Sequence, residues 1–462
     1  MSVKAPSVSK RYRIVGLVAI LSLILAACAS EEETTTTAAP ESVEEATTTT
    51  AAPVTTTTEP LPRDVTISFQ NWYFQATMKE AYDQYIASFL AQNDRVIEVA
   101  VETQPYPRYH DVLNVKLTAN QPPEVSWINA SVGPQYVTSG RLVNLLPYIE
   151  QVEGFNLDDF PEDALRPWMH GDELVALPFT NANNVLYFNT EIFAAAGIPI
   201  PLELQEQGNW TWESLKDIAK QLVDSGAAEY GFYFNNGLYT PGWRNLIEIY
   251  APYGARPWSL DGKQCLFDSP ETIEATQLVW DMVFVDAAHP GPSVAADFAA
   301  GNIGMTLARQ NYVGRLREVP FGWDVTVAPD GPAGYVPSLA QNGIVAWKDS
   351  ENPDLGAQFV VHTLTPENAA IFSINTPSPR RSLQNLETLT QFPTGFTDEQ
   401  LERAVIPSLQ AESFELEYYH PQYAAVDREA KVVFDRQVWV EDANVPEAMA
   451  AVCSNIDPLM TR

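Results

Sequence analysis

The chain has 462 residues, of which 45% are hydrophobic and 11% aromatic, with 11 Trp among them, so it has the material for two or three ordinary domains and a large core. Its 59 acids against 27 Lys and Arg give a formal charge of −32. That balance argues against a nucleic-acid or anionic-membrane binder, because phosphate contacts need clustered cations.

At the start, Lys4, Lys10, Arg11 and Arg13 precede the apolar run Ile14 to Ala27. At about 1.5 Å per helical residue this run falls short of a bilayer core of about 30 Å, so residues 1–27 read as a signal peptide and not as a spanning helix. The run ends in Leu25-Ala26-Ala27-Cys28, which resembles the bacterial lipobox. The resemblance implies a diacylated Cys28 as first mature residue, holding the protein to the outer face of the cell membrane, since two or more acyl chains anchor stably where one does not. The bland alternative is an ordinary leader cleaved near Ala27. Removing residues 1–27 takes away four cations and no acids and moves the charge from −32 to −36. Residues 28–62 are expected to be a solvated tether: three Thr runs broken by Ala-Ala-Pro and Glu leave almost nothing apolar to bury.

From Asp64 the pattern becomes strand (65–69), helix (77–91), strand (96–101), a Pro-punctuated loop (103–109), helix (111–119) and strand (124–128), the rhythm of a parallel sheet with helical crossovers. Ligands of such sheets sit at the carboxyl ends of the strands, where Asn71-Trp72, Gln104 to Tyr106 and Asn129 to Ser131 gather. The stretch around which the rest is organised comes next: two β-like runs, 174–179 and 185–188, separated by Thr180-Asn181-Ala182-Asn183-Asn184 and followed by a helix with Thr190 as N-cap and Gly197 as stop. An extended segment that leaves one sheet, exposes amides and enters another joins two lobes and lines the cleft between them. Further helices are expected at 212–222, 245–250, 273–285, 354–364 and 445–460, and further strands at 230–234, near 305, at 323–328 and at 343–347. With Cys28 assigned to lipid, Cys265 and Cys453 either pair or stand as two separate buried thiols.

The order of motifs resembles the extracellular solute-binding proteins of ABC importers, the large family that includes carbohydrate-binding lipoproteins. The stretches that carry it are the lipobox, PPEVSWINAS with Gly140 to Leu145, GDELVALPF through LYFNTEIFAAAGI and WTWESLKDIAKQL, DFAAGNIGMTL with WDVTVAPDGP, and GIVAWKDSENPDLGAQFVVHTLTPENAAIF. The resemblance implies an α/β, two-lobed periplasmic-binding-protein-like fold, each lobe a mostly parallel sheet flanked by helices. Its lobes would be 63–178 with 343–410 and 179–342 with 411–462. Crossing segments would lie near 178–183, 339–343 and 408–421. It also implies no cofactor, a small-molecule solute that is most readily a carbohydrate, ABC permease transmembrane subunits as partners, and a monomer.

Sugar binding needs flat aromatic faces against C–H surfaces and side chains that bond several hydroxyls. The candidates are Asn71, Trp72, Tyr106, Asn129 and Ser131 from the first lobe, Asn181, Asn183 and Asn342 from the crossings, and Trp243, Arg309, Asn311, Tyr312 and Tyr423 from the second lobe. Asn129 and Ser131 read equally as turn and cap residues. The Gly-Trp usual in the family near Gly301 to Met305 is absent, which leaves the ligand open. The five histidines lack metal-ligand spacing, and no HExxH, P-loop, GxGxxG or GxSxG run occurs, so no metal or catalytic centre is expected. A glycoside hydrolase needs only two suitably spaced carboxylates, but nothing marks a pair. A binder of polyamine or sugar phosphate and a ligand sensor share the pattern.

Overall fold

The computed structural model describes residues 64–72, 76–235, 242–292, 294–338, 341–373, 377–391, 394–412, 420 and 422–460. The leader, Cys28, the Thr-rich tether and most of the third expected crossing lie outside the described residues.

Strand β1 (Val65–Trp72) pairs in parallel with β2 (Val96–Gln104) and β3 (Val125–Asn129), connected through α1 (Ala76–Gln92) and α2 (Tyr106–Thr118). The expected loop at 103–109 is nearly absent. β2 runs on to Gln104, and α2 starts at once because Pro105 supplies the cap position and Pro107 sits in the first turn, where a missing N–H costs no helical bond. A two-strand hairpin, β4 (Met169–His170) and β5 (Glu173–Leu174), leads into β6 (Leu177–Asn181) and β7 (Asn184–Asn189). Helix α3 (Thr190–Ala196) follows; its cap is Asn189, one residue ahead of the expected Thr190, accepting from the amides of Glu191 and Ile192. Gly197 ends it at φ 67°, the left-handed conformation that glycine adopts without a Cβ penalty. Helix α4 (Trp212–Asp224) opens with a capping box between Thr211 and Ser214.

After β8 (Tyr230–Phe234) come α5 (Ile247–Tyr250), α6 (Pro270–Phe284), β9 (Ile303–Arg309), β10 (Trp323–Thr326), β11 (Gln341–Ala346) and α7 (Pro353–Thr363). The last helices are α8 (Ile406–Gln410), α9 (Tyr423–Val433) and α10 (Val445–Met460).

Two sheets organise the body, in the orders β2-β1-β3-β11-β6 and β10-β7-β9-β8. Most strands of each run in one direction, as expected, with one strand reversed in each: β11 runs antiparallel to its neighbours β3 and β6, and β7 runs antiparallel to its neighbours β9 and β10. The cause is the crossing chain. A strand that arrives from the other sheet does not come through a helical crossover on its own sheet, so nothing constrains it to be parallel.

Each sheet has its own core. Phe69, Trp127 and Phe359 fill the first, with ring centroids 5.6–5.8 Å apart at Phe69. Trp212, Phe232, Trp243 and Trp258 fill the second together with α9 and α10. The opposite face of the second sheet packs Val185, Tyr187, Val313 and Ala404, and Gln400 and Arg403 bond Asp324 of β10, so residues 400–404 rest on that sheet. Cys265 and Cys453 are joined in a disulfide with Cα atoms 5.4 Å apart, tying the loop ahead of α6 to α10. Gly343 on β11 lies under the Trp168 indole, where a Cβ would come within 2.8 Å of the ring; Trp168 also donates to Gln341 Oε1 at 2.7 Å.

Candidate functional site

The carboxyl ends of β1 and β3, the start of α2 and the first residues of β11 converge. At the end of β1, Trp72 is 8% exposed and sits in an aromatic wall, with ring centroids 5.0 Å from Tyr109, 5.0 Å from Trp127 and 5.5 Å from Tyr106. Tyr106 is the exposed member of the wall, with half of its surface in solvent. Asn71 is fully buried and accepts from Thr103 Oγ1 at 2.8 Å. Asn129 caps the short turn after β3 by accepting from the amide of Ser131, and it donates to Asn342 Oδ1 at 2.9 Å. Asn342 in turn donates to Thr180 Oγ1 at 3.0 Å. The polar tips are thus wired to one another across β3, β11 and β6. His110 belongs here too: burial pushes its imidazole down to about 4, and the neutral ring accepts from the Asn129 amide at 3.4 Å.

The crossing carries the next set. Asn181 ends β6, with its backbone amide donating to Pro377 O at 2.9 Å. Asn183 is fully buried and donates to Ser408 O. Arg309, at the end of β9, donates to Ala182 O at 2.7 Å and stands 3.9 Å from Glu248 Oε1. On the second lobe, Tyr423 is nearly buried and carries the Arg244 guanidinium 5.1 Å over its ring. Burial raises the Tyr106 phenol, and the positive charge of Arg244 offsets part of that rise. Burial also raises the Asp427 carboxyl, against the pull of Arg244.

Three candidates fall elsewhere. Trp243 is 0% exposed, 5.2 Å from Phe267 and 5.8 Å from Trp258, and presents no face to a cleft. Tyr312 is buried on the outer face of the second sheet, donating to Asp297 Oδ1 at 2.8 Å. Asn311 beside it is exposed. The sequence reading passed over Arg244, Glu248, His110 and Gln341. Arg244 directly follows Trp243; its guanidinium lies over Tyr423, whereas the Trp243 indole is buried in the core.

The first lobe gathers an aromatic wall and a set of bonded amides, and the second carries a tyrosine with a guanidinium over its ring. That chemistry suits reversible capture of a polar ring or a small anion. Among the described residues, no group of three or more His, Cys, Asp or Glu is placed to hold a metal ion, and no helix is long and apolar enough to cross a membrane. An open groove of about 680 Å³ runs between α4 and α6, lined by Glu213, Lys216, Glu274 and Asp281, but it contains none of the expected site residues.

Comparison with known proteins places these features in context. The family described as bacterial extracellular solute-binding protein matches residues 75–370. The sn-glycerol-3-phosphate-binding periplasmic protein UgpB of Escherichia coli K12 is 26% identical over 216 residues, 43% of this chain and 46% of the relative. The arabinooligosaccharide-binding protein of Halalkalibacterium halodurans is 23% identical over 216 residues, 46% of this chain and 45% of the relative. The chain therefore spans about half the length of the curated relatives it matches. Among solved structures, the cyclic alpha-maltosyl-1,6-maltose binding protein of Arthrobacter globiformis superposes with a TM-score of 0.71 at 18% identity, covering 86% of this chain and 99% of that one. An ABC substrate-binding protein from Listeria monocytogenes in complex with cycloalternan gives 0.69 at 22% identity, covering 86% and 98%.

Proposed function

The chain belongs to the bacterial extracellular solute-binding protein family, and from that premise we propose that it is the substrate-binding subunit of an ABC importer that captures a sugar or oligosaccharide between its two lobes. The observation that carries this reading is the Trp72–Tyr106 wall beside the bonded amides of Asn129 and Asn342, the pairing of flat apolar face and hydroxyl partners that a pyranose requires. Ligand touching both lobes stabilises the closed form, which the permease then distinguishes from the open one. In this reading the solute leaves unchanged, Cys28 carries the lipid, the tether lets a monomeric body stand off the outer face of the membrane, and residues 1–27 are removed. We draw the first lobe as 63–178 with the chain from 343 to the segment ahead of Gln400, since 400–404 pack on the second sheet.

A second reading, capture of a phosphorylated polyol, is favoured by the Arg244 guanidinium held over the Tyr423 ring and by the likeness to the glycerol-3-phosphate-binding relative. Thermal unfolding of the full chain against sugars, oligosaccharides, polyamines and sn-glycerol 3-phosphate separates them, because a ligand of the native state raises its apparent stability. A rise with a saccharide, lost in Trp72→Ala and free of new reducing ends, is expected. A rise only with the phosphorylated polyol, lost in Arg244→Gln, overturns the sugar reading. Release of reducing ends overturns the binding reading altogether.

A further inference from the structure

We infer that Glu248 is a positioning residue, a buried carboxylate that pins two of the segments crossing between the lobes to the second lobe and so limits the angles the lobes take up. Glu248 lies on α5 and is 6% exposed. Its Oε1 accepts from Asn184 Nδ2 at 2.6 Å and from Ser338 Oγ, and Arg309 Nη2 stands 3.9 Å away. Asn184 is the first residue of β7, where the first crossing enters the second sheet. Ser338 lies just ahead of β11, where the chain returns to the first sheet. One carboxylate oxygen therefore holds both crossings at their second-lobe ends.

The neighbouring bonds extend the clasp. Arg309 Nη1 holds Ala182 O at 2.7 Å, so the first crossing is fixed at its carbonyl as well as at its Asn184 side chain. Asn183 donates to Ser408 O, and Gln310 Nε2 donates to Ser408 Oγ at 3.2 Å, which brings in the chain of α8. Within the first crossing, Ala182, Asn183 and Asn184 are each held, so a change of lobe angle has to be taken up at the Asn181 end. The amide oxygens of Asn181, Asn183, Asn184 and Gln310 are buried without a hydrogen-bond partner. Buried acceptors left unpaired are costly, so a lobe angle that brought donors to them would be favoured, and the clasp limits bending without forbidding it. A buried carboxylate is costly to desolvate, and donors drawn from two crossings give it a reason to be here beyond the packing of α5.

The inference rests on the two-lobe reading only in taking these segments as the hinge, and its test needs no solute, so it stands or falls separately from sugar capture. Spin labels carried on keto side chains introduced at Val115 and Val285, which are 69% and 66% exposed, report the distance between lobes in the full chain by pulsed electron resonance. Glu248→Ala is expected to broaden the distance distribution roughly twofold relative to the parent chain, and Glu248→Gln, which keeps an oxygen for the same donors, to restore most of the narrow distribution. Near-ultraviolet dichroism checks that each variant is folded. If Glu248→Ala does not fold, Ser338→Ala, which leaves the carboxylate with Asn184, takes its place with the same expectation at smaller amplitude. A distribution unchanged in a folded Glu248→Ala or Ser338→Ala chain overturns the inference, as does a Glu248→Gln chain as broad as Glu248→Ala.

Discussion

Replacing both Cys265 and Cys453 by Ala removes a cross-link between residues 188 apart in sequence. In the chain-entropy account, closing a loop of this length restricts the unfolded chain by about 5 kcal/mol at 25 °C, and bonds of this kind commonly deliver about 2–4 kcal/mol. Both sulfurs lie in the second core, so the Ala pair also gives up a small amount of packing of the same sign. The assay is urea unfolding under oxidising conditions, with Cys28→Ser in both chains so that no third thiol interferes. The double variant should unfold at lower urea, with a steeper dependence on denaturant because its unfolded chain is less compact. Adding reductant should bring the parent chain down to the variant and leave the variant where it was. Equal midpoints in oxidant, or two free thiols titrating in the denatured parent, would refute the reasoning.

Two further predictions concern the cores. Trp243→Ala empties a site enclosed by Trp258 and Phe267 and should cost about 3–5 kcal/mol of stability by the same unfolding assay, whereas a ligand-contacting role would leave stability unchanged. A folded variant of parental stability would return Trp243 to the cleft. Burial pushes His289 down to about 4 from its usual 6.5, its Nε2 accepting from the Phe234 amide at 3.3 Å and Nδ1 donating to Pro290 O at 2.8 Å. A proton on Nε2 would set donor against donor. Because the folded value is the lower one, the unfolded chain binds this proton first, and stability should fall as pH drops from about 6.5 to about 4, by up to about 3 kcal/mol from this residue. Unfolding midpoints at pH 7 and 4.5 should differ less in His289→Gln than in the parent; an equal difference would sink the assignment.

The strands and helices were legible wherever periodicity and caps agreed. Gly197 was legible as the stop of α3, because a cap is a local bargain among three or four residues. The start of α2 was missed because prolines read as loop punctuation also begin helices. The parallel run of β1, β2 and β3 was legible from the strand and helix rhythm, but the reversal of β11 was not, since whether it runs with or against β3 depends on where the chain has been for roughly the preceding 200 residues, and no local pattern records that. For the site, the tips of β1 and β3 could be found from strand ends. Trp243 and Tyr312 could not be told from ligand residues, because a large aromatic in an irregular stretch looks the same facing a cleft or a core. Glu248 was hidden for the opposite reason: one acid among 59 carries no mark of burial until its donors are brought in from Asn184 and Ser338.

The strand order also bears on how the chain acquires its shape. β11 lies between β3 and β6, so the first sheet has a gap in its middle until residue 346 is available. The second core includes residues of Val445–Met460, so it too stays unfinished until that helix is available. A chain emerging from its amino end therefore cannot complete either half early. Its folding waits on contacts between residues far apart in sequence, and long-range contacts of this kind slow folding.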